Sequence, residues 1–214
     1  LLALASTNGA AATQIGTGSV VGDAAFDAVI DWNDTYTAAS ASGQVTDIII
    51  KARVLPALNM SISTGTIDLG DLSAGVASAG SLFIEIGTNA KDGVSITARS
   101  QSGGLTSTAD AAYQINSLTA DGVAESYTWA STINGTDDSS FGTYTAVNTG
   151  ANGLDSAKEI TENTTEYNVY TTNKPEATSG TVDDVTFDVS ATSQAETPAG
   201  DYEDRVTFTV TGNF

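Results

Sequence analysis

The clearest pattern of apolar and polar positions lies between residues 202 and 211. Tyr202, Asp204, Val206, Phe208 and Val210 alternate there with Glu203, Arg205 and three threonines. A period of two is typical of a strand that buries one face and exposes the other. The turn residues Pro198-Ala199-Gly200 precede this run, so we predict one strand over residues 202–211 that is held within a sheet.

Shorter apolar runs recur along the chain and indicate about eight to ten short strands in all. They fall at Ile48–Val54, Leu58–Ile62, Ile67–Leu69, Leu82–Ile86, Val94–Ser100, Tyr113–Leu118, Tyr127–Ile133, Glu166–Thr171 and Val182–Ser190. The Asp92-Gly93 pair predicts a hairpin between the fourth and fifth of these runs. The only candidate helix, over Ala151–Glu162, is weakened by its Asn152-Gly153 pair. We therefore predict an all-β fold, a jelly-roll-like β-sandwich.

The N-terminal segment differs from the rest of the chain. Residues 1–21 carry no charge and combine small residues with spaced apolar ones. We expect an extended arm over residues 1–30 and a single β-sandwich domain over residues 31–214. The opening Leu1–Ser6 resembles the end of the apolar region of a signal peptide. The alternative is that these residues are mature sequence, and we expect the mature protein to begin at Leu1.

An uncharged, mildly apolar arm ahead of a β domain is suited to strand addition. In that mode, main-chain hydrogen bonds extend a neighbour's sheet while alternate side chains fill its groove. The predicted apolar anchors are Ile15, Val20, Val21, Phe26 and Val29. The alternative is an N-terminal strand that folds back onto its own domain, and the pattern leaves both open.

The charge balance excludes several classes of partner. The chain of 214 residues has 26 acidic and 7 basic residues, a net charge of −19. Nucleic acids and anionic membranes are bound through clustered Lys and Arg, so neither is an expected partner. No apolar run is long enough to span a bilayer. Abundant Ser and Thr with scarce Lys are typical of secreted prokaryotic surface proteins.

The chain contains neither His nor Cys. It therefore lacks the usual general base, the usual zinc ligand and any disulfide. Adjacent acids occur at Asp137-Asp138, Asp183-Asp184 and Glu203-Asp204, but neighbours on a strand point to opposite faces and cannot form a catalytic dyad. No EF-hand spacing is present. We expect no enzyme activity, no cofactor and no bound metal.

Two further features suggest surface roles. Trp32, Trp129 and several tyrosines are candidates for a sugar-binding platform, although aromatic residues more often fill a sandwich core. Glycosylation sequons occur at Asn33, Asn59, Asn134 and Asn163. Asn134 and Asn163 lie in the most loop-like places and are the candidate glycosylation sites.

The segment Pro198–Thr211 resembles the "P-A-G-x-Y-x-D" ending of secreted prokaryotic sandwich subunits. These include TasA-like biofilm fibre proteins, related archaeal pilins and spore-coat-U-type pilus proteins. The runs Ile67–Leu72 and Leu82–Ile86 are also similar to members of this group. The resemblance implies an extracellular filament built by donation of an N-terminal strand, although this chain lacks cysteines and has a longer middle region.

The sequence therefore predicts a structural subunit of an extracellular filament, a pilus or biofilm matrix fibre. Its principal partner would be further copies of itself, joined head to tail, with other cells or surfaces as additional contacts. The alternative is a monomeric cell-surface or carbohydrate-binding β-sandwich module. An enzyme of the glycosidase type is the least favoured reading.

Overall fold

The structure is a computed structural model that describes residues 26–32, 39–45, 49–116, 125–134, 146–176 and 185–214. Within these ranges every regular element is a strand, as the sequence predicts. The chain divides into two compact units, Leu1–Val54 and Leu55–Phe214. The predicted division into an arm of residues 1–30 and a sandwich of residues 31–214 stays a prediction.

The first unit contains an antiparallel hairpin of β1 (Phe26–Trp32) and β2 (Ala39–Val45). Phe26 pairs with Val45 and Trp32 with Ala39. The strand predicted over Ile48–Val54 is wrong for the described residues 49–54, which form no strand. An apolar run becomes a strand only where a neighbouring backbone can hydrogen-bond to it.

The described residues of the second unit form twelve strands in three sheets. They are β3 (Leu58–Ile62), β4 (Ala77–Thr88), β5 (Val94–Ser100), β6 (Leu105–Ser107), β7 (Gln114–Ile115), β8 (Ser126–Ile133), β9 (Ala146–Val147), β10 (Lys158–Glu159), β11 (Tyr167–Thr172), β12 (Val185–Thr192), β13 (Tyr202–Glu203) and β14 (Val206–Gly212). A five-stranded sheet has the order β10-β8-β12-β4-β3, and a four-stranded sheet has the order β14-β5-β11-β9. A third, smaller sheet has three strands in the order β13-β6-β7. The pairings between these described strands are all antiparallel.

Alternation places the core between the two larger sheets. On β12, Val185, Phe187, Val189 and Ala191 are buried while the residues between them are only partly buried. The same alternation buries Leu82, Ile84 and Ile86 on β4, and Val94, Ile96 and Ala98 on β5. The fold is therefore a β-sandwich, because each sheet turns one apolar face towards the other.

Aromatic side chains join the two sheets. Trp129 on β8 is fully buried and meets Tyr167 on β11 edge to face, with ring centroids 5.7 Å apart. Phe187 on β12 contacts Phe208 on β14 at 5.1 Å. Trp129 is therefore a core residue, and the hypothesis that it forms part of a sugar-binding platform is wrong.

The hairpin predicted around Asp92-Gly93 is also wrong. The turn is present, but β4 pairs with β3 and β12 whereas β5 pairs with β11 and β14, so the turn passes from one sheet to the other. Gly93 has φ +81°, and a Cβ there would lie 2.2 Å from the carbonyl oxygen of Thr172. Glycine is required at this position because a side chain would meet both a strained backbone and a neighbouring strand.

Two further expectations need correction. The predicted strand over residues 202–211 is broken at Asp204-Arg205, so that β13 joins the small sheet and β14 joins the four-stranded sheet. The candidate helix over Ala151–Glu162 is instead a turn followed by the short strand β10. No helix in the described ranges is long or apolar enough to cross a membrane.

Candidate functional site

The two large sheets differ in width, and this leaves one side of the sandwich open. The contacts of Tyr167 and Phe208 place β11 opposite β8 and β14 opposite β12. Beyond β12, the five-stranded sheet continues with β4 and β3, whereas the four-stranded sheet ends at β14. Among the described residues of the second unit, the sheet of β14 therefore has no strand that covers the last strand of the opposite sheet.

The side chains of β3 show the effect of this mismatch. Met60 pairs with Ile86 and Ile62 with Ile84, and directly paired residues point to the same face of a sheet. Ile84 and Ile86 are fully buried, so Met60 and Ile62 also point inward. Ile62 is nevertheless 37% exposed, and Leu58 on the same face is 39% exposed. Inward-facing apolar side chains on β3 are thus only partly covered.

A groove of about 1250 Å³ occupies this open side. One wall is the segment Thr66–Leu72, and the opposite wall is formed by residues between Ser193 and Arg205 together with Val206 and Phe208 at the start of β14. Its apolar lining comprises Ile62, Ile67, Leu69, Leu72, Leu82, Leu105, Ile115, Phe187, Val189, Val206 and Phe208. Small-molecule pockets usually measure about 300–1,000 Å³, so the groove has room for an occupant larger than most small molecules.

Charged groups in the lining are mostly acidic. Five carboxylates line the groove, those of Asp68, Asp71, Asp201, Glu203 and Asp204, against a single cation, Arg205. Arg205 already lies 3.7 Å from a carboxylate oxygen of Glu203. The apolar floor with acidic surroundings favours an occupant that is apolar and carries no negative charge.

Asp204 ties the wall formed by β14 to the rest of the sandwich. Ser100 donates from its hydroxyl to Asp204 Oδ2 at 2.7 Å, and Ser102 donates from its hydroxyl to Oδ1 at 2.6 Å. The Tyr127 hydroxyl donates to Oδ2 at 3.3 Å, and the Arg205 amide donates to Oδ1 at 2.7 Å. Burial and the charge of Asp204 raise the pKa of Tyr127 well above its ordinary value, so this phenol remains a donor.

The Pro-Ala-Gly turn is closed by its own hydrogen bonds. The Tyr202 hydroxyl donates to the carbonyl of Pro198 at 2.8 Å. Thr197 donates from its hydroxyl to the buried carboxylate of Glu125, and the Gln194 amide donates to Thr197 Oγ1 at 2.8 Å. The residues of the "P-A-G-x-Y-x-D" segment therefore have structural roles here, since they hold β13 and β14 in place beside the groove.

The Asp204 contacts give a first prediction. Replacing Asp204 with Asn keeps the shape but removes the charge that strengthens these bonds, and should lower the free energy of unfolding by about 1–3 kcal/mol. Urea denaturation followed by circular dichroism measures the change. Asp201→Asn is the matched control because Asp201 is exposed and its side chain makes none of these contacts. Equal stability of the two variants would contradict a structural role for the Asp204 carboxylate.

The structure describes only part of the predicted interface. Ile15, Val20 and Val21 lie outside the described residues. Phe26 and Val29 lie on β1, where their backbone pairs with Val45 and Ser42 of the same chain. The sequence pattern did not indicate the groove residues, because their partial exposure depends on which strands face each other.

The candidate glycosylation sites are accessible. Asn134 is exposed just beyond β8, and its side-chain amide donates to Thr186 Oγ1 at 2.7 Å. Asn163 is exposed in the loop between β10 and β11. Of the other two sequons, Asn59 lies on β3 and Asn33 falls outside the described residues.

The paired acids do not form a second site in the part of the chain described. Asp137-Asp138 and Asp183-Asp184 fall outside that part, while Glu203 is exposed and Asp204 is engaged by its hydrogen bonds. In the same ranges, no group of three or more acidic side chains could hold a metal ion. The groove is therefore the candidate functional site.

Comparisons with known proteins return no matching family model, no similar curated protein and no similar solved structure.

Proposed function

We propose that the protein is a structural subunit of an extracellular filament, a pilus or biofilm matrix fibre. The N-terminal arm of one copy supplies a strand to the sandwich of the next, and the groove beside β14 receives it. The proposal requires no cofactor and no chemical reaction. It also agrees with the filament role implied by the resemblance of the Pro198–Thr211 segment.

The open groove is the observation that supports this proposal most directly. Its floor is apolar, one wall ends at β14, and the inward side chains of β3 are only partly covered. In strand addition, the added backbone bonds to a free sheet edge and alternate side chains enter the groove. A strand placed beside β14 would do both at once.

The character of the arm fits the groove. Residues 1–22 form the longest uncharged stretch of a chain that otherwise carries many carboxylates. An uncharged strand enters acidic surroundings without charge repulsion, whereas an acidic one is repelled. A contact between the arm of one copy and the groove of another is also heterologous, and such contacts produce open filaments when they do not close into a ring.

Negative-stain microscopy of the purified full chain tests this function. We expect filaments that lengthen with protein concentration, and faster growth as salt screens the repulsion between copies of charge −19. Light scattering on the same samples measures the mass of the assemblies. Monodisperse monomers at every concentration and salt would overturn the filament proposal and leave the monomeric surface-module alternative.

A further inference from the structure

The segment Thr66–Leu72 resembles a strand in its side chains. Ile67 and Leu69 are half-buried and pack against the core, whereas Thr66, Asp68 and Gly70 are exposed. A Cβ built on Gly80 would lie 2.7 Å from Ile67 Cγ2, so Ile67 lies directly on the inner face of β4. The strand predicted at Ile67–Leu69 is therefore wrong, although the side chains alternate as they would in a strand.

The same segment lacks the backbone bonds of a strand. Among the described residues, Thr66–Leu72 makes no backbone-to-backbone hydrogen bond and belongs to no sheet. Its contacts are local or use side chains: Gly70 N donates to Asp68 Oδ1 at 2.8 Å, and the Ser78 hydroxyl donates to the Leu69 carbonyl at 2.5 Å. Backbone groups near a core normally have hydrogen-bond partners. The backbone of Thr66–Leu72 borders the open groove, so a partner that enters the groove can bond to it.

The opposite wall, β14, also has a backbone edge that is open to pairing among the described residues. Among the described residues β14 pairs only with β5, so its other edge bonds to no strand. The groove thus lies between two backbone segments, each with its inner side chains anchored in one core. Strands in a sheet bond to neighbours on both edges at a spacing of about 4.8 Å, so a strand inserted between these walls would offer backbone groups to each of them.

We propose that the incoming strand pairs on both of its edges, with β14 on one side and Thr66–Leu72 on the other. Insertion converts Thr66–Leu72 into a β-strand and extends the four-stranded sheet across β4 and β3. The occupant is residues 1–22 of a second copy, because this uncharged stretch suits the acidic surroundings. This inference rests on the proposed function and specifies how the groove holds its partner.

Hydrogen exchange with mass spectrometry tests the inference on the full chain. The protein is kept dilute, and exchange is compared with and without a synthetic peptide of residues 1–22. We expect the peptide to slow amide exchange in two separate regions, 66–72 and 206–212. Slowing in 206–212 alone would overturn two-sided pairing while leaving the filament proposal intact.

Two other outcomes have distinct meanings. If the peptide changes neither region and the full chain forms no filaments, the proposed function itself fails. If residues 66–72 are already protected in the dilute full chain without peptide, the arm occupies its own groove, and the assignment to a second copy is overturned.

A substitution pair isolates the wall formed by Thr66–Leu72. Gly80→Ala forces Ile67 away from β4 without touching β14, whereas Ala79→Ser changes an exposed residue on the outer face of the same strand. We expect Gly80→Ala to weaken peptide binding about tenfold, equivalent to one or two net backbone hydrogen bonds, and Ala79→Ser to leave it unchanged. Melting curves confirm that both variants are folded. Equal affinity of the two variants would show that the segment is not part of the binding site.

Discussion

Deletion of residues 1–22 is expected to abolish filament formation and leave the β-sandwich folded. The reason is that the deleted stretch would supply the strand, whereas the groove and the core lie within residues 55–214. Negative-stain microscopy and light scattering would show monomers at concentrations where the full chain polymerises. The circular dichroism spectrum and the melting temperature should stay close to those of the full chain.

A length-matched control separates the identity of the arm from its length. Replacing residues 1–22 with a Gly-Ser stretch keeps the linker but removes Ile15, Val20 and Val21, and it should also prevent assembly. At a single position, Thr17→Asp should slow assembly more than Thr17→Lys, because the groove lining is acidic. Filaments of normal length from the deletion variant would refute donor-strand assembly through this arm.

Replacement of Trp129 with Ala is expected to cause the largest loss of stability. Trp129 is fully buried and its ring meets those of Tyr127, Tyr167 and Phe187 at centroid distances of 6.0, 5.7 and 5.4 Å. Removal of a large buried aromatic side chain costs about 3–5 kcal/mol through lost burial and the cavity left behind. Urea denaturation followed by circular dichroism gives the change in unfolding free energy.

Phe83→Ala is the matched control for the tryptophan variant. Phe83 lies on β4, points away from the core and is 40% exposed, so its removal should change stability by well under half as much. If the two variants unfolded at the same urea concentration, Trp129 would not be the centre of the core. A carbohydrate that bound the native protein and protected Trp129 from quenching would also contradict its burial.

The individual strands could be predicted because their cause is local. Leu82, Ile84 and Ile86 alternate with polar or exposed positions, and they form β4 as expected. The runs that became β5, β8, β11 and β12 behaved in the same way. A strand with one buried face needs only period-two spacing, which can be seen in the sequence itself.

The pairing of strands could not be predicted, because it depends on distant parts of the chain. The Asp92-Gly93 turn gave no sign that β4 and β5 belong to different sheets. Likewise, the run from Tyr202 to Thr211 gave no sign of the break at Asp204, which follows from the hydroxyl groups of Ser100 and Ser102. Such contacts join residues about a hundred positions apart, so no local pattern records them.

The groove could not be predicted from the sequence, because it arises from the difference between a five-stranded and a four-stranded sheet. The role of the arm stays a prediction that rests on its lack of charge. The segment Ile67–Leu69 shows why a strand-like side-chain pattern and membership of a sheet can differ. Its side chains obey the strand pattern, while its backbone has no sheet to join within the described residues.

The strand order has a consequence for when the protein folds during its synthesis. Ile84 pairs with Val185 in one sheet and Ala98 pairs with Phe208 in the other, so both sheets need residues 185–212. Pairings so distant in sequence form slowly because the loop between them must close first. A chain synthesised from its N-terminus therefore cannot complete either sheet until nearly all of it has left the ribosome.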